Sequence, residues 1–167
     1  MILNSPISRL CLVSSVIIIA DQVTKHLVQT RLKLHESVEV IQNLFSLTYI
    51  LNPGGAFGFF AGQSLMVRKF VFIFLSAIIA GIVLFMFFRT AREHCFLSYA
   101  FALIFSGAAG NLIDRIRFGQ VVDFLDFYLG AFDGPWHWPA FNIADSAISI
   151  GMAILIYHIL FNKLPDL

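Results

Sequence analysis

Charged residues are scarce in this chain. Of its 167 residues, 13% are Asp, Glu, Lys or Arg and 59% are hydrophobic, whereas about a quarter of a typical soluble domain is charged. The formal net charge is only +1, so there is no basic excess with which to bind nucleic acid. This composition argues against an ordinary soluble domain and predicts a single integral membrane domain over residues 1–167.

Cysteines and metal-binding motifs are scarce as well. Cys11 and Cys95 lie far apart and outside any CxxC motif, so we expect buried free thiols rather than a disulfide or a metal site. The histidines are scattered and form no HExxH motif, and there is no glycine-rich phosphate loop. We therefore expect neither a metal nor a cofactor. Ser106 and His158, the candidate serine–histidine pair, should differ in membrane depth by roughly 12 Å, too far for base activation.

Long apolar runs are abundant, and they predict transmembrane helices. A bilayer core requires roughly 20 apolar residues in a helix, and four segments meet this requirement, at about 8–29, 68–88, 95–115 and 141–161. A cleaved signal peptide is the alternative for the first segment, but Ile18 is bulky for the −3 position of a cleavage site. Four spans place both termini on one side. Basic residues are more numerous in the links 31–69 and 115–141, which by the positive-inside rule favours a cytoplasmic location for these links.

The first long link carries strand signals. Residues 45–51 alternate between two faces with period 2, residues 52–55 form a turn, and residues 56–60 could return as a second strand. The predicted fold is an α-helical membrane protein with four transmembrane helices, a small β-sheet at the membrane surface at about 36–62 and a short amphipathic surface helix at 65–69.

Polar clusters interrupt the ends of the apolar runs. Because a charged side chain is costly near hydrocarbon, an acid at that depth is a candidate functional residue. The clusters read D21-Q22-V23-T24-K25, N52-P53-G54-G55-A56-F57, G110-N111-L112-I113-D114-R115, V121-V122-D123-F124 and F141-N142-I143-A144-D145-S146.

Three of the clusters also have a structural interpretation. Gly107, Gly110, Asn111 and Asp114 share one helix face, and we expect its glycines to serve close helix packing. Asp21 and Lys25 have the spacing of a helical ion pair. In the same way Asp114 could pair with Arg115, and Asp145 could cap the fourth helix.

Two aspartates could carry out hydrolysis. If Asp123 folds back onto the start of the fourth helix, it meets Asp145, and two close carboxyls retain a shared proton near neutral pH. The ionised carboxyl can then activate water while the protonated one donates to the substrate. The alternative is a proton-coupled carrier or an assembly subunit, but a carrier should have polar groups in both halves of the membrane. Asp126 and Asp133 look like ordinary loop acids.

In order and spacing, the five clusters resemble the lipoprotein signal peptidase (signal peptidase II) family of bacterial membrane aspartyl proteases, over about residues 8–162. The resemblance implies that Asp123 and Asp145 are the catalytic dyad. We expect support of the dyad or substrate binding from Asp21, Lys25, Asn52, Gly54, Asn111, Asp114, Arg115 and Asn142. Pro53 and Gly55 depart from the common family pattern, which bears on the turn and on the reach of Asn52.

The resemblance also implies the biological setting. The substrate would be a diacylglyceryl-modified prolipoprotein, cut just before the lipidated cysteine, and the cyclic peptide globomycin would inhibit the enzyme. The protein would contact membrane lipids in the bacterial cytoplasmic (inner) membrane, with its site and the small β-sheet on the extracytoplasmic (outer) face and both termini cytoplasmic. Both cysteines would then lie near the reducing inner face.

Overall fold

The structure, a computed structural model, describes residues 5–54, 64–92, 94–130 and 136–161. These residues contain four helices long and apolar enough to cross a membrane, which confirms the predicted fold class. They are α1 (Pro6–Arg31), α2 (Leu65–Thr90), α3 (Cys95–Phe118) and α4 (Ile143–Leu160). Residues 65–69, expected as a separate surface helix, form the start of α2 because Ser64 accepts a hydrogen bond from the Val67 N–H and caps the helix there.

A small antiparallel sheet lies outside the helices, with strands in the order β1 (Ser37–Ile41), β2 (Phe45–Asn52) and β3 (Val121–Phe127). The strand predicted from the alternation at 45–51 is confirmed as β2. Its predicted partner at 56–60 lies outside the described residues. The sequence reading of 121–127 as a loop was wrong, because this β-branched and aromatic run pairs with β2 along its length.

Strand β3 places its two acids on opposite faces of the sheet. Asp123 lies opposite Ile50, and Asp126 lies opposite Ser46. The irregularity in this ladder adds a residue to β2 between Leu47 and Ile50, so the alternation of β3 itself is undisturbed. Because side chains of a strand alternate, residues 123 and 126 cannot point the same way. Only one of them can face the helix ends.

Helix α3 is the centre of the bundle and packs against α1, α2 and α4. The contact with α4 requires glycine: a Cβ at Gly107 would lie 2.3 Å from the Ala144 carbonyl oxygen, and one at Gly151 would lie 2.7 Å from that of Ala100. The packing role expected for the glycine face is confirmed. An apolar cluster around Phe87, Leu97 and Phe101 fills the bundle at the end where α1 begins.

The thiols are free, as predicted, but they are exposed rather than buried. A thiol is only weakly polar, so it can remain on the apolar outer surface of a membrane bundle. Arg9, in contrast, is buried, and only 6% of it is exposed. Its guanidinium donates to the Ala91 carbonyl and to Cys95 Sγ, which joins the start of α1 to the α2–α3 connection.

Candidate active site

A buried lysine organises the charges between α1 and α3. Lys25 Nζ lies 2.8 Å from Asp21 Oδ2 and 2.8 Å from Asp114 Oδ2. The predicted Asp21–Lys25 pair is therefore present, but the predicted Asp114–Arg115 pair is wrong. Successive residues of a helix point in different directions, so Asp114 can face α1 while Arg115 lies to one side. One cation thus serves two carboxylates that are almost completely buried.

Gln22 belongs to this cluster, although sequence reasoning assigned it no role. Its amide donates to Asp114 Oδ1 at 2.9 Å and to Asp21 Oδ2 at 3.2 Å. The available signal was its position between Asp21 and Lys25 in a polar segment of an apolar helix. Both acids also accept backbone N–H groups: Asp21 Oδ1 accepts that of Ala144 at 2.9 Å, and Asp114 Oδ2, the oxygen that also faces Lys25, accepts that of Val122 at 3.2 Å. The cluster therefore fixes the start of α4 and of β3.

Asn111 connects the lysine to Asp145. Its Oδ1 accepts a hydrogen bond of 3.0 Å from Lys25 Nζ and one of 3.2 Å from Asn142 Nδ2. A lysine ammonium has only donors, so the amide oxygen of Asn111 must face Lys25. The Asn111 amide nitrogen is thereby directed to Asp145 Oδ1, which it reaches at 2.7 Å.

Asn142 contacts both candidate catalytic acids. As the N-cap of α4 it accepts the Asp145 N–H at 2.9 Å, and Asp145 Oδ2 accepts the Asn142 N–H at 3.3 Å, which completes a capping box. Its amide nitrogen donates to Asp123 Oδ1 at 2.8 Å. The capping role weighed for Asp145 is therefore present, alongside its hydrogen bond from Asn111.

The other oxygen of Asp123 is held by Asn52, at the end of β2. Asn52 Nδ2 donates to Asp123 Oδ2 at 2.9 Å, and Asn52 Oδ1 accepts the Gly54 N–H at 2.9 Å. Gly54 has φ +82°, and a Cβ there would lie 2.9 Å from the Phe72 ring, so this position requires glycine. Pro53 does not prevent the reach of Asn52; Gly55 lies outside the described residues.

Burial shifts the ionisation of Asp123, which is 3% exposed. It raises the pKa of Asp123 to about 6, and the negative charge of Asp145 adds to the rise. Hydrogen bonds from Asn52 and Asn142 and the charge of Lys25 oppose it. The two acids therefore interact electrostatically, and Asp123 can retain a proton much closer to neutral pH than an ordinary aspartic acid.

An open groove of about 320 Å³ lies beside Asp145. Its walls are mostly apolar and include Trp138, Phe141 and Ile150, with hydroxyl groups from Ser146 and Ser149. Arg115 is half-buried and interacts electrostatically with Asp145, Asp114 and Asp123. Within the described part of the chain it forms no ion pair, so its guanidinium can donate hydrogen bonds to a ligand.

Asp126 is not the ordinary loop acid that the sequence suggested. It is 6% exposed, accepts from Thr48 Oγ1 at 3.3 Å, and lies 3.0 Å from His137 Nδ1. His137 also stacks on Tyr128. No motif linked these residues, and only the antiparallel pairing of segment 136–141 with β3 brings them together. Asp133 lies outside the described residues, and among those described no group of three or more His, Cys, Asp or Glu could hold a metal ion.

Comparisons with known proteins agree over most of the chain. The sequence model of the family described as "Signal peptidase (SPase) II" matches residues 13–161. The lipoprotein signal peptidase of Desulforapulum autotrophicum is 62% identical over 159 residues, which cover 95% of this chain and 96% of that protein. The lipoprotein signal peptidase of Syntrophus aciditrophicus is 44% identical, covering 92% and 93% of the two chains.

The fold is also similar to solved structures. One is described as a bacterial membrane enzyme structure obtained by the in meso method at 2.3 Å resolution. It has a TM-score of 0.78 and 34% sequence identity, and the match covers 95% of this chain and 91% of the solved one.

Proposed function

Because this chain belongs to the signal peptidase II family, we propose that Asp123 and Asp145 are its catalytic dyad. As a member of that family, the chain is a multi-pass membrane protein and an aspartic protease that removes the signal peptide from prolipoproteins. The main structural support for this dyad is that both acids contact Asn142. The Asn142 side-chain amide donates a hydrogen bond to Asp123, and its amide oxygen accepts one from the Asp145 N–H.

The pair can activate water without any further group. The ionised carboxyl takes a proton from water, and the water oxygen attacks the scissile carbonyl. The protonated carboxyl donates its proton to the developing oxyanion. As the C–N bond breaks, the carboxyl that took the water proton passes it to the leaving amine, and the other carboxyl recovers its proton from the hydroxyl of the tetrahedral intermediate. Both acids are held by amide donors from Asn52, Asn111 and Asn142, which fix their positions while leaving proton exchange to the carboxyls.

The groove beside Asp145 supports the proposal that the substrate is lipid-modified. Its apolar walls formed by Trp138, Phe141 and Ile150 suit hydrocarbon and the apolar residues of a signal peptide. We propose that the substrate is diacylglyceryl-modified and is cut just before the lipidated cysteine, with Arg115 donating to a peptide carbonyl. A globomycin-type cyclic peptide would occupy the same groove and block the dyad.

The proposed orientation places the dyad at the outer face, with both termini cytoplasmic. An even number of spans returns the chain to the side on which it started. The two termini therefore share one side of the membrane, and α1 begins and α4 ends away from the dyad. The family resemblance favours this arrangement, whereas the distribution of basic residues favours the reverse. A C-terminal alkaline phosphatase fusion should be inactive, because that enzyme folds only outside the cytoplasm; an active fusion would reverse the orientation.

The decisive test is cleavage of a synthetic diacylated lipobox peptide by purified protein in detergent. Wild-type protein should cut this peptide and fail on the unlipidated one. The Asp123→Asn protein should be inactive, and Asp126→Asn, a change of the same type on the other face of β3, is the matched control. Equal cleavage of both peptides would contradict the lipid requirement, and an inactive control with an active Asp123→Asn protein would contradict the dyad.

A further inference from the structure

A second groove, of about 480 Å³, lies at the opposite end of the bundle from the dyad. Ser5, Pro6 and Ile7 at the start of α1 form one wall, and Phe88, Arg89 and Arg92 at the end of α2 form the other. At 1.5 Å per residue, α1 carries Asp21 about 22 Å away from Pro6. This groove therefore has no part in the chemistry of the dyad.

The two arginines project into the groove because their neighbours anchor the end of α2. Phe87 and Ala91 are 0% and 1% exposed and belong to the apolar cluster, whereas Phe88 is 52% exposed. The buried guanidinium of Arg9 also holds the Ala91 carbonyl. The backbone that carries Arg89 and Arg92 is thus fixed on its inner side, and both arginines are exposed at the outer side.

The positive charge of this groove is not neutralised by the described residues of the chain. Arg89 lies 5.9 Å from the centre of the Phe85 ring, and the ion pairs of the described residues all involve other side chains. Guanidinium groups bind phosphate through paired N–H donors. Two of them beside one groove favour a ligand that carries a negatively charged phosphate.

The apolar wall indicates which kind of phosphate fits. Ile7 and Phe88 are 61% and 52% exposed beside the arginines, on a bundle whose surface contacts hydrocarbon. We propose that this groove binds an anionic phospholipid, with its phosphate between Arg89 and Arg92 and an acyl chain along Ile7 and Phe88. A free phosphate would leave these apolar side chains uncovered, and a zwitterionic headgroup would bring its own cation against the arginines.

The test measures lipid binding to the full-length protein in detergent, by native mass spectrometry, and does not depend on protease activity. Phosphatidylglycerol should bind more tightly than phosphatidylcholine with the same acyl chains. Replacing both arginines (R89Q/R92Q) should weaken phosphatidylglycerol binding by about 25-fold, since each basic residue near an anionic membrane surface contributes about fivefold. The conservative variant R89K/R92K should retain most of the binding.

The matched control is R31Q/K33Q, which removes the same charge from the other end of α1. Its phosphatidylglycerol binding should be close to that of the wild type. Equal losses in R89Q/R92Q and in the control would show a general charge effect and overturn the site, as would equal binding of the two lipids by the wild type. Displacement of the lipid by millimolar inorganic phosphate would show a soluble-anion site instead and would overturn the lipid assignment.

Discussion

The side-chain amide of Asn142 donates a 2.8 Å hydrogen bond to Asp123 Oδ1, and this contact brings β3 to the first turn of α4. Because Asn142 also caps that helix through Asp145, the geometry of the two acids depends on one asparagine. Asn142, which takes no part in proton transfer, thus joins strand and helix directly, beside the contacts of Asp21 with Ala144 and of Asp114 with Val122 that also hold them.

Replacing either acid of the proposed dyad by asparagine should abolish processing, because an amide keeps the shape of the carboxyl but cannot transfer its proton. The double variant Asp123→Asn/Asp145→Asn should be scarcely worse than either single one, since residues that act as a unit lose their function together. A gel-shift assay of prolipoprotein processing at matched expression provides the measurement. Substantial residual cleavage by either single variant would contradict the assignment.

The stability of the protein should depend on pH through Asp123. Its folded-state pKa of about 6 lies above the ordinary value of 3.8, so its ionisation destabilises the folded state. This penalty is absent below the ordinary pKa of 3.8, develops as the pH rises toward 6 and is complete only above the folded-state pKa. Relative to the wild type, Asp123→Asn should therefore gain Tm between pH 4 and pH 7.5. A Tm difference that stays constant across this range would show that Asp123 is not desolvated.

Lys25→Met should destabilise the fold far more than Arg115→Gln. The first change leaves Asp21 and Asp114 buried without their cation, and a broken buried pair costs roughly 3–5 kcal/mol. The second change removes no ion pair seen in the described residues, and Asp114 keeps Lys25 and Gln22. Thermal unfolding in detergent separates the two, with Arg115→Gln expected to lose activity rather than stability. Similar losses of Tm would indicate that Arg115 has a structural role.

Chelation should leave activity unchanged. The carboxyl oxygens of Asp123 and Asp145 are occupied by donors from Asn52, Asn111 and Asn142, an arrangement suited to proton transfer. The measurement is cleavage of the diacylated peptide before and after prolonged EDTA treatment. Activity that is lost with EDTA and restored by zinc would require a different mechanism.

Asp126→Asn should retain most of the activity per folded molecule but unfold at a lower temperature. Asp126 faces away from the dyad and accepts hydrogen bonds from Thr48 and His137, and an amide can replace only part of this pairing. His137→Ala should lower Tm in the same way, because both changes release segment 136–141 from β3. Parallel measurements of Tm and kcat test this, and a large fall in kcat at unchanged Tm would contradict it.

Local chemistry made much of the site predictable. Asp21 and Lys25 are one helical turn apart, so their pairing follows from spacing alone. The glycine face of α3 likewise predicts close packing, and apolar runs of membrane length predict the helices. Strand β3 could also have been predicted, because V-V-D-F-L-D-F is rich in β-branched and aromatic residues and lies between glycines at 119 and 130, a composition typical of a strand.

The sequence by itself determined the membrane class, the four spans and that Asp21 and Asp114 are too deep to be ordinary surface residues, because length, hydropathy and helical spacing are local properties. Only the tertiary structure decided the partners. Asp114 pairs with Lys25 rather than with Arg115. Asn142 forms hydrogen bonds with both Asp123 and Asp145, and His137 lies within hydrogen-bond distance of Asp126. These contacts join residues distant along the chain, and a buried charge or amide takes whichever donor or acceptor the packing of helices and strands brings within about 3 Å.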